Sequence, residues 1–231
     1  MRQIGLLGGM SWESTTSYYS LINSQVKQEL GGLHSARILL NSVNFSGLEV
    51  CLRTGDWDEI ARQLSAEALI LEKAGADCLL LCTNTMHKVY DQISASLSIP
   101  FFHIADTLGA ALAQANISKI GLLGTRFTMV EDFYARRLKD NFKIDVVIPD
   151  EPDIDIINAV VFDELCLGIV NDASRQAYQE IIERLGSKGA EAVALACTEI
   201  EMLIKPDDVE LPVFDTTALH AAAATNWALS P

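Results

Sequence analysis

Two short polar segments of the sequence carry side chains that can transfer protons. Residues 83–85 are Thr-Asn-Thr and residues 197–199 are Cys-Thr-Glu, and each segment follows an apolar run. The thiol of Cys197 has an ordinary pKa of about 8.5, which helix N-termini and nearby donors can lower. The hydroxyl of Thr83 ionises far less readily. We therefore expect acid/base or nucleophilic chemistry at Cys197.

The other four cysteines offer less chemistry. The chain has 231 residues and an odd number of cysteines, so we expect free thiols in a reducing compartment, without disulfides. No Cys-x-x-Cys pair or Cys/His cluster has the spacing of a zinc site, and no metal is predicted. We interpret Cys51, Cys78 and Cys166 as packing residues and Cys82 as a structural residue.

The elements that position these segments are those of an α/β protein, because short apolar runs alternate with helix-length segments. Asp56, with Glu59 three residues later, predicts a helix start that resembles a capping box. In the first half, strands are predicted at 4–7, 37–43, 78–81 and 100–104, and helices at about 13–30, 56–75, from 85 and from 106. The segment at residues 83–85 therefore lies where a strand ends and a helix begins.

The second half of the sequence repeats features of the first half. Ile-Gly-Leu-Leu-Gly occurs at residues 4–8 and again at 120–124, an offset of 116. Two further matches, beginning at Gly75 and Gly189 and at Pro100 and Pro212, have offsets of 114 and 112. We infer a duplication that produced two lobes, 1–116 and 117–231, with a last helix at about 216–229 that can pack back on the first lobe. The alternative is that unrelated α/β strands merely resemble each other.

The duplication predicts how the two polar segments work together. In parallel sheets, ligands bind at the carboxyl ends of the strands. With an offset of 114, Thr83 corresponds to Cys197, and we expect the two side chains to face each other across a cleft between the lobes. Two such groups suit the removal of a proton from one face of a carbon and its return to the opposite face. The backbone amides of residues 84–85 and 198–199 would hold the α-carboxylate of an amino acid.

Several motifs together resemble those of the aspartate/glutamate racemases, which use no pyridoxal phosphate. Residues 5–14, Gly-Leu-Leu-Gly-Gly-Met-Ser-Trp-Glu-Ser, are typical of the aspartate racemase branch, and residues 83–87 and 196–199 resemble the two active-site signatures. Residues 162–168 are similar to a segment that closes over the substrate. The resemblance covers nearly the whole chain. It implies an isomerase that has two pseudo-symmetric α/β lobes and uses no cofactor. A cytoplasmic location and a homodimer are further expectations.

One position departs from the pattern of the family. Where the family has its first catalytic cysteine, directly before Asn-Thr, this chain has Thr83. Cys82 lies one residue earlier, and adjacent residues of a strand point to opposite faces, so Cys82 can replace it only through a bulge or register shift. Our hypothesis is that Cys197 is the competent thiol and that Thr83, or a displaced Cys82, serves the other face poorly. Turnover would then be weak or unequal between enantiomers.

The resemblance also implies the residues that bind the substrate. Met10 follows the first strand, Asn84, Thr85 and Thr198 follow the catalytic positions, and Glu199 would hold the substrate ammonium. Arg53 is a candidate clamp for a distal carboxylate, although a solvated loop arginine is the alternative. In acidic-substrate members basic groups lie near the substrate side chain, whereas this chain has Glu164 and no lysine there, so a broader range of amino acids is also predicted. His87 could either orient a catalytic neighbour or be a core residue.

Composition excludes other classes of function. A net charge of −14 argues against nucleic-acid binding, and no apolar run is long enough for a membrane helix. Gly-x-x-Gly-Gly at residues 5–9 is not the dinucleotide fingerprint, so we predict no NAD. The expected partner is a small amino-acid substrate. Two alternatives remain, namely a related isomerase or decarboxylase, and a non-catalytic amino-acid-binding protein.

Overall fold

Two parallel β-sheets of four strands each organise the chain. The computed structural model describes residues 1–231, and its contacts divide them into one unit of Met1–His103 with His220–Pro231 and another of Ile104–Leu219. The strands of the first unit are β1 (Ile4–Gly8), β2 (Ile38–Ser42), β3 (Cys78–Leu81) and β4 (Phe101–Phe102). Those of the second unit are β5 (Lys119–Gly124), β6 (Asp145–Val147), β7 (Ala192–Ala196) and β8 (Val213–Asp215).

The two sheets have the same topology. The strand order is β2-β1-β3-β4 in the first unit and β6-β5-β7-β8 in the second, and every neighbouring pair is parallel. Parallel neighbours need crossover connections, which helices provide. The predicted class, α/β with two similar parallel-sheet lobes, is confirmed.

Helices connect the strands and cover the sheets. Those before β5 are α1 (Trp12–Leu30), α2 (Phe45–Thr54), α3 (Trp57–Lys73), α4 (Tyr90–Ser94) and α5 (Ile104–Gln114), with a 3₁₀ helix at Thr85–Val89. Those after β5 are α6 (Arg126–Val130), α7 (Asp132–Phe142), α8 (Glu151–Asp163), α9 (Asp172–Ser187), α10 (Ile200–Leu203) and α11 (Thr216–Leu229), with 3₁₀ helices at Leu165–Leu167 and Pro206–Asp208. None of these helices is both long enough and apolar enough to cross a membrane.

Local sequence signals explain several of these boundaries. The hydroxyl of Ser11 accepts a hydrogen bond from the Ser14 N–H and caps α1, and the Asp56 carboxylate caps α3 by accepting from the Glu59 N–H at 3.1 Å. Gly55 ends α2 in the left-handed conformation that glycine adopts without a steric penalty. The predicted helix start at Asp56 is therefore confirmed.

The core of the first unit contains residues from both ends of the chain. Ile4 and Leu6 of β1 and Tyr18 of α1 pack with Ala221 and Ala224 of α11. Arg2 joins the same ends, because its backbone N–H donates to the Ala228 carbonyl at 2.9 Å. The last helix thus completes the apolar cover of this sheet from His220 onwards.

The core of the second unit lies on both faces of its sheet. One cluster contains Leu123, Val193 and Leu195 with residues of α8 and α9, and the other contains Ile120 and Leu122 with residues of α5 and α7. A strand that is covered on both faces is expected to be continuously apolar, as β7 is. The end of β7 is therefore held from both sides at the point where Cys197 follows.

Two predicted boundaries around β4 were wrong. Residues 100–104 were expected to be one strand, but β4 comprises only Phe101 and Phe102, and α5 begins at Ile104, earlier than the predicted start at residue 106. The register shows where pairing stops. Phe101 and Phe102 pair with Leu79 and Leu80, whereas His103, the residue opposite Leu81 of β3, already lies outside the strand.

Candidate active site

Strand register places Thr83 and Cys197 at equivalent positions of their two sheets. Leu7 of β1 pairs with Leu81 of β3, and Leu123 of β5 pairs with Leu195 of β7. Thr83 and Cys197 each follow the paired residue of their strand by two positions. The equivalence that was predicted from the sequence offset therefore agrees with the pairing in each sheet.

Cys197 is hydrogen-bonded to a carboxylate. Its Sγ–H donates to Glu199 Oε2 at 3.1 Å, and the Thr198 hydroxyl donates to the same oxygen at 2.7 Å. All three residues are buried, and Cys197 is only 7% exposed. Burial, and then the negative charge of Glu199, raise the pKa of the Cys197 thiol well above its ordinary value. The thiol is therefore protonated at neutral pH in this structure.

This electrostatic environment differs from the one expected for a reactive cysteine. The sequence suggested that a helix N-terminus could lower the pKa of Cys197, as at many catalytic cysteines. The helix that follows, α10, has only four residues. Glu199 precedes its first residue, and Glu201 lies in its first turn. A helix this short carries only a small dipole, and the negative charge of Glu199 opposes the effect of that dipole on the pKa of the Cys197 thiol.

Thr83 lies in a segment with a different set of partners. It is 8% exposed, and its backbone N–H donates to the Leu81 carbonyl at 2.9 Å. His87 Nδ1–H donates to the Thr83 carbonyl at 2.7 Å, and the Ser14 hydroxyl donates to the Cys82 carbonyl at 3.3 Å. The backbone on both sides of the Thr83 Cα is thus fixed by hydrogen bonds.

Cys82 lies in the apolar core of the first unit. Its side chain is fully buried in the cluster that contains Ile4, Leu6 and Tyr18. Burial raises the pKa of the Cys82 thiol far above its ordinary value. This placement favours Thr83 over a displaced Cys82 as the group at the end of β3.

Met10, Asn84 and Thr85 also lie near strand ends of the first unit, and all three are buried. The turn before Met10 requires a glycine. Gly9 has a φ of +91°, and a Cβ atom there would lie 2.2 Å from the Val43 carbonyl oxygen. The backbone after β1 can approach the end of β2 closely only because residue 9 has no side chain.

The two residues considered for a substrate side chain have contrasting environments. Arg53 lies on α2 with its side chain 70% exposed, and its guanidinium is 3.9 Å from Glu49. Glu164 ends α8 and accepts a hydrogen bond from the Ser174 hydroxyl at 2.7 Å. Glu164 is half-buried, so its carboxylate has a defined position, whereas Arg53 has the surroundings of a solvated arginine.

Tyr178 packs in the same core cluster as Cys197. The phenol is buried and donates to the Ile157 carbonyl at 3.1 Å. Burial raises the pKa of Tyr178, and the negative charges of Cys197 in its thiolate form and of Glu164 raise it further.

Sequence reasoning considered His87 but missed His103 and His220, the two buried imidazoles whose rings lie next to that of His87. His220 Nε2–H donates to the Phe102 carbonyl at 3.0 Å, so His220 Nδ1 accepts from the Tyr18 hydroxyl at 2.8 Å. Burial, and then the proximity of His87, lower the pKa of His220 to about 3. A histidine within the alanine-rich run of α11 was the one signal that could have identified this group.

No group of three or more histidine, cysteine, aspartate or glutamate side chains in residues 1–231 has a geometry that could hold a metal ion. At the end of β3 the His87 side chain binds the backbone, and at the end of β7 the side chains of residues 197–199 bind one another. The Cys197 thiol and the Thr83 hydroxyl each carry a proton that acid/base chemistry could use.

Comparisons with known proteins agree with this chemistry. The model of the Asp/Glu/hydantoin racemase family matches residues 7–224. The broad-specificity amino-acid racemase RacX of Bacillus subtilis (strain 168) is 24% identical over 237 aligned positions, which span 98% of both proteins.

Solved structures give the same result. The structure of a candidate Asp/Glu racemase from Yersinia pestis is 48% identical with a TM-score of 0.94, and that of an aspartate racemase homologue from Pyrococcus horikoshii OT3 is 29% identical with a TM-score of 0.86. Both similarities cover 100% of each chain. This chain therefore belongs to the Asp/Glu/hydantoin racemase family and is an isomerase.

Proposed function

We propose that this protein racemises a free amino acid by exchanging its α-proton, without a cofactor. Cys197 acts as acid and base on one face of the α-carbon, and Thr83 occupies the opposite face. The observation that supports this most strongly is that the two residues hold the same position in two sheets of identical topology. Racemisation requires one proton-transferring group on each face.

The hydrogen bond between Cys197 and Glu199 supports a specific role for each group. Before catalysis, the thiol is protonated and can deliver its proton to a planar carbanion, which leaves the thiolate. In the reverse direction the thiol proton first passes to Glu199 Oε2, and the resulting thiolate removes the α-proton. Glu199 is therefore proposed to act as the proton acceptor of Cys197, in addition to the predicted contact with the substrate ammonium.

Thr83 is a weaker partner in this scheme. To remove an α-proton, Thr83 would first have to lose its hydroxyl proton to solvent. Because an alcohol ionises much less readily than a thiol, removal of the α-proton by Thr83 is slower than removal by Cys197. Delivery of a proton is less affected, since the hydroxyl already carries one. We therefore propose that the enantiomer whose α-hydrogen faces Cys197 exchanges that hydrogen with solvent faster than the other enantiomer does. Its kcat and KM can also differ from those of the other enantiomer, although kcat/KM for racemisation is equal in the two directions because enantiomers have equal free energies.

The remaining contacts to the substrate are proposed from the polar side chains at the strand ends. Asn84, Thr85 and Thr198 would bind the α-carboxylate and α-amino groups, and Met10 would pack against the substrate. The names of the relatives suggest aspartate or glutamate, whereas the name of the Bacillus relative suggests a broader range.

Two charged residues would decide between these substrate ranges. Glu164 has a fixed carboxylate that would repel an acidic side chain nearby, and Arg53 would have to leave its exposed position beside Glu49 to bind one. We propose that aspartate, glutamate and neutral amino acids all be assayed. A change of preference in Glu164→Lys would identify the residue as a determinant of the substrate.

Hydrogen exchange in D₂O tests the proposed function. Each enantiomer of aspartate and glutamate is incubated with the enzyme, and loss of the α-proton signal is followed by NMR together with chiral chromatography of the products. We expect exchange of at least one enantiomer, and Cys197→Ser should reduce it about a hundredfold or more. Cys51→Ser, at a cysteine of α2 in the first unit, is the matched control.

The outcomes of this experiment are distinct. Exchange that depends on Cys197 and yields the opposite enantiomer supports racemisation. A Cys197→Ser enzyme with the activity of the unmodified enzyme would contradict the assignment of the thiol. A cytoplasmic location and a homodimer remain predictions, and analytical ultracentrifugation of the purified protein tests the latter.

A further inference from the structure

Two consecutive carbonyl groups at the end of β3 are each held by a buried side chain. The Ser14 hydroxyl donates to the carbonyl of Cys82, and His87 Nδ1–H donates to that of Thr83. These carbonyls belong to the two peptide groups that flank the Thr83 Cα, one before it and one after it. The direction in which the Thr83 side chain projects therefore depends on them.

The corresponding carbonyl in the second unit is held differently. The Cys197 carbonyl accepts from the backbone N–H of Ile200 at 3.1 Å, as in the first turn of a helix. In the first unit, the N–H of His87 donates to Asn84, and the imidazole of His87 takes over the Thr83 carbonyl. A side-chain donor therefore binds the carbonyl of Thr83, whereas a main-chain donor binds the carbonyl of Cys197.

Aromatic and imidazole rings fix the orientation of His87. Its ring centroid lies 4.7 Å from that of His103, 5.6 Å from that of His220 and 6.0 Å from that of Phe101, with Tyr90 stacked at 6.3 Å. His87 is only 2% exposed. A ring held from several sides has one orientation, so the hydrogen bond from Nδ1 is well defined.

The geometry points to His87 as a positioning residue that holds the Thr83 hydroxyl at its face of the α-carbon. This inference rests on the proposed function, in which Thr83 serves one of the two faces. His87 acts through the backbone of Thr83 and transfers no proton to the substrate. Its loss should therefore affect only the proton transfers made by Thr83.

The test compares two substitutions of the same residue. His87→Asn keeps a side-chain N–H donor at nearly the distance of Nδ1 from the backbone, whereas His87→Leu removes the donor and keeps the apolar bulk. Hydrogen exchange of each enantiomer in D₂O is measured for both variants. Thr83→Val and Cys197→Ser first establish which enantiomer exchanges through which residue. His34→Leu, at an exposed histidine of the same unit, is the control.

We expect His87→Leu to slow the exchange that depends on Thr83 by about tenfold to a hundredfold, because a small displacement of a catalytic group has effects of this size. The exchange that depends on Cys197 should not change. His87→Asn should restore most of the loss. In the Thr83→Val background, His87→Leu should cause no further loss of that exchange.

Three results would overturn the inference. Equal losses in both exchanges would show a general structural role, and a further loss in the Thr83→Val background would show that His87 transfers protons itself. If His87→Leu does not fold, as judged by circular dichroism, two other variants decide. The inference would also be overturned if Ser14→Ala keeps full activity and His87→Asn is inactive. If neither Thr83→Val nor Cys197→Ser changes any exchange, the proposed function itself fails.

Discussion

The ends of β3 and β7 are alike in backbone position and unlike in the groups behind them. Behind Thr83 lies a set of buried imidazoles, two of which bind main-chain carbonyls, and beside Cys197 lies a carboxylate that accepts a hydrogen bond from the thiol itself. A carboxylate can take up a proton from its neighbour, whereas an imidazole bound to a carbonyl only orients it. Two halves of one topology can therefore supply unequal acid/base groups.

The largest effect that sharpens this comparison is expected for Glu199→Gln. The variant should lose about a hundredfold to ten-thousandfold of the exchange through Cys197, because the proton acceptor of the thiol is removed. At the same time the pKa of Cys197 should fall, since the charge of Glu199 raises it. Iodoacetamide should then alkylate the thiol faster at a given pH while exchange measured by NMR slows.

The opposite pattern would break the comparison. If Glu199→Gln alkylates no faster and retains its exchange, the carboxylate has no part in the proton transfer of Cys197. Glu201→Gln, a carboxylate of α10 two residues further on, is the matched control.

A second prediction concerns stability at low pH, which should depend on the imidazoles of the first unit. The folded-state pKa of His220 is about 3, below its ordinary value of 6.5, so the unfolded chain binds the proton more readily. The stabilisation is complete above about pH 6.5 and is lost as the pH falls towards 3, by at most about 5 kcal/mol. Urea unfolding from pH 7 to pH 4 measures this dependence.

His220→Gln identifies the source of the pH dependence. Glutamine retains a donor for the Phe102 carbonyl and an acceptor for Tyr18 but does not titrate, so the free energy of unfolding should vary less with pH. His34→Gln serves as the control at an exposed histidine. An unchanged slope in His220→Gln would assign the acid sensitivity to other groups.

A third prediction makes the two strand ends more alike. Thr83→Cys should increase the exchange of the slower enantiomer by about tenfold, because a thiol ionises much more readily than a hydroxyl and so supplies more of the deprotonated form. The exchange through Cys197 should stay the same, so the two enantiomers become more equal in their rates of exchange. Deuterium incorporation into each enantiomer separately is the measurement. A Thr83→Cys enzyme that is unchanged or slower would argue against Thr83 as the second group.

The smallest effect is expected for Thr198→Val. The substitution removes the hydroxyl that donates to Glu199 Oε2 and leaves the Cys197 thiol as the side-chain donor to that oxygen. Exchange should change by only about threefold to tenfold, the range of a single hydrogen bond. The pH profile of the exchange checks this, and a loss as large as that of Glu199→Gln would assign Thr198 a direct role.

Much of the fold could be predicted from residues close together in the sequence. Apolar runs located β1, β2 and β3, and the repeated Ile-Gly-Leu-Leu-Gly located β5. The match that begins at Gly75 and Gly189 indicated the equivalence of Thr83 and Cys197. The early start of α5 at Ile104 could not be predicted, because the largely apolar residues 101–104 continue from β4 into the helix without a turn signal.

The surroundings of the candidate site were less accessible to sequence reasoning. Tyr18 and His220 are 202 positions apart, and they meet only because α11 returns to the first unit. The raised pKa of Cys197 results from burial and from the orientation of one carboxylate, and neither follows from the Cys-Thr-Glu sequence alone.

The contribution of α11 to the first unit has a consequence for the synthesis of the protein. Residues 104–219 contain every strand of the second sheet, whereas the apolar surface of the first sheet is covered in part by Ala221, Ala224 and Ala228, which are synthesised last. We therefore expect the first sheet to reach its final packing only after α11 has been made.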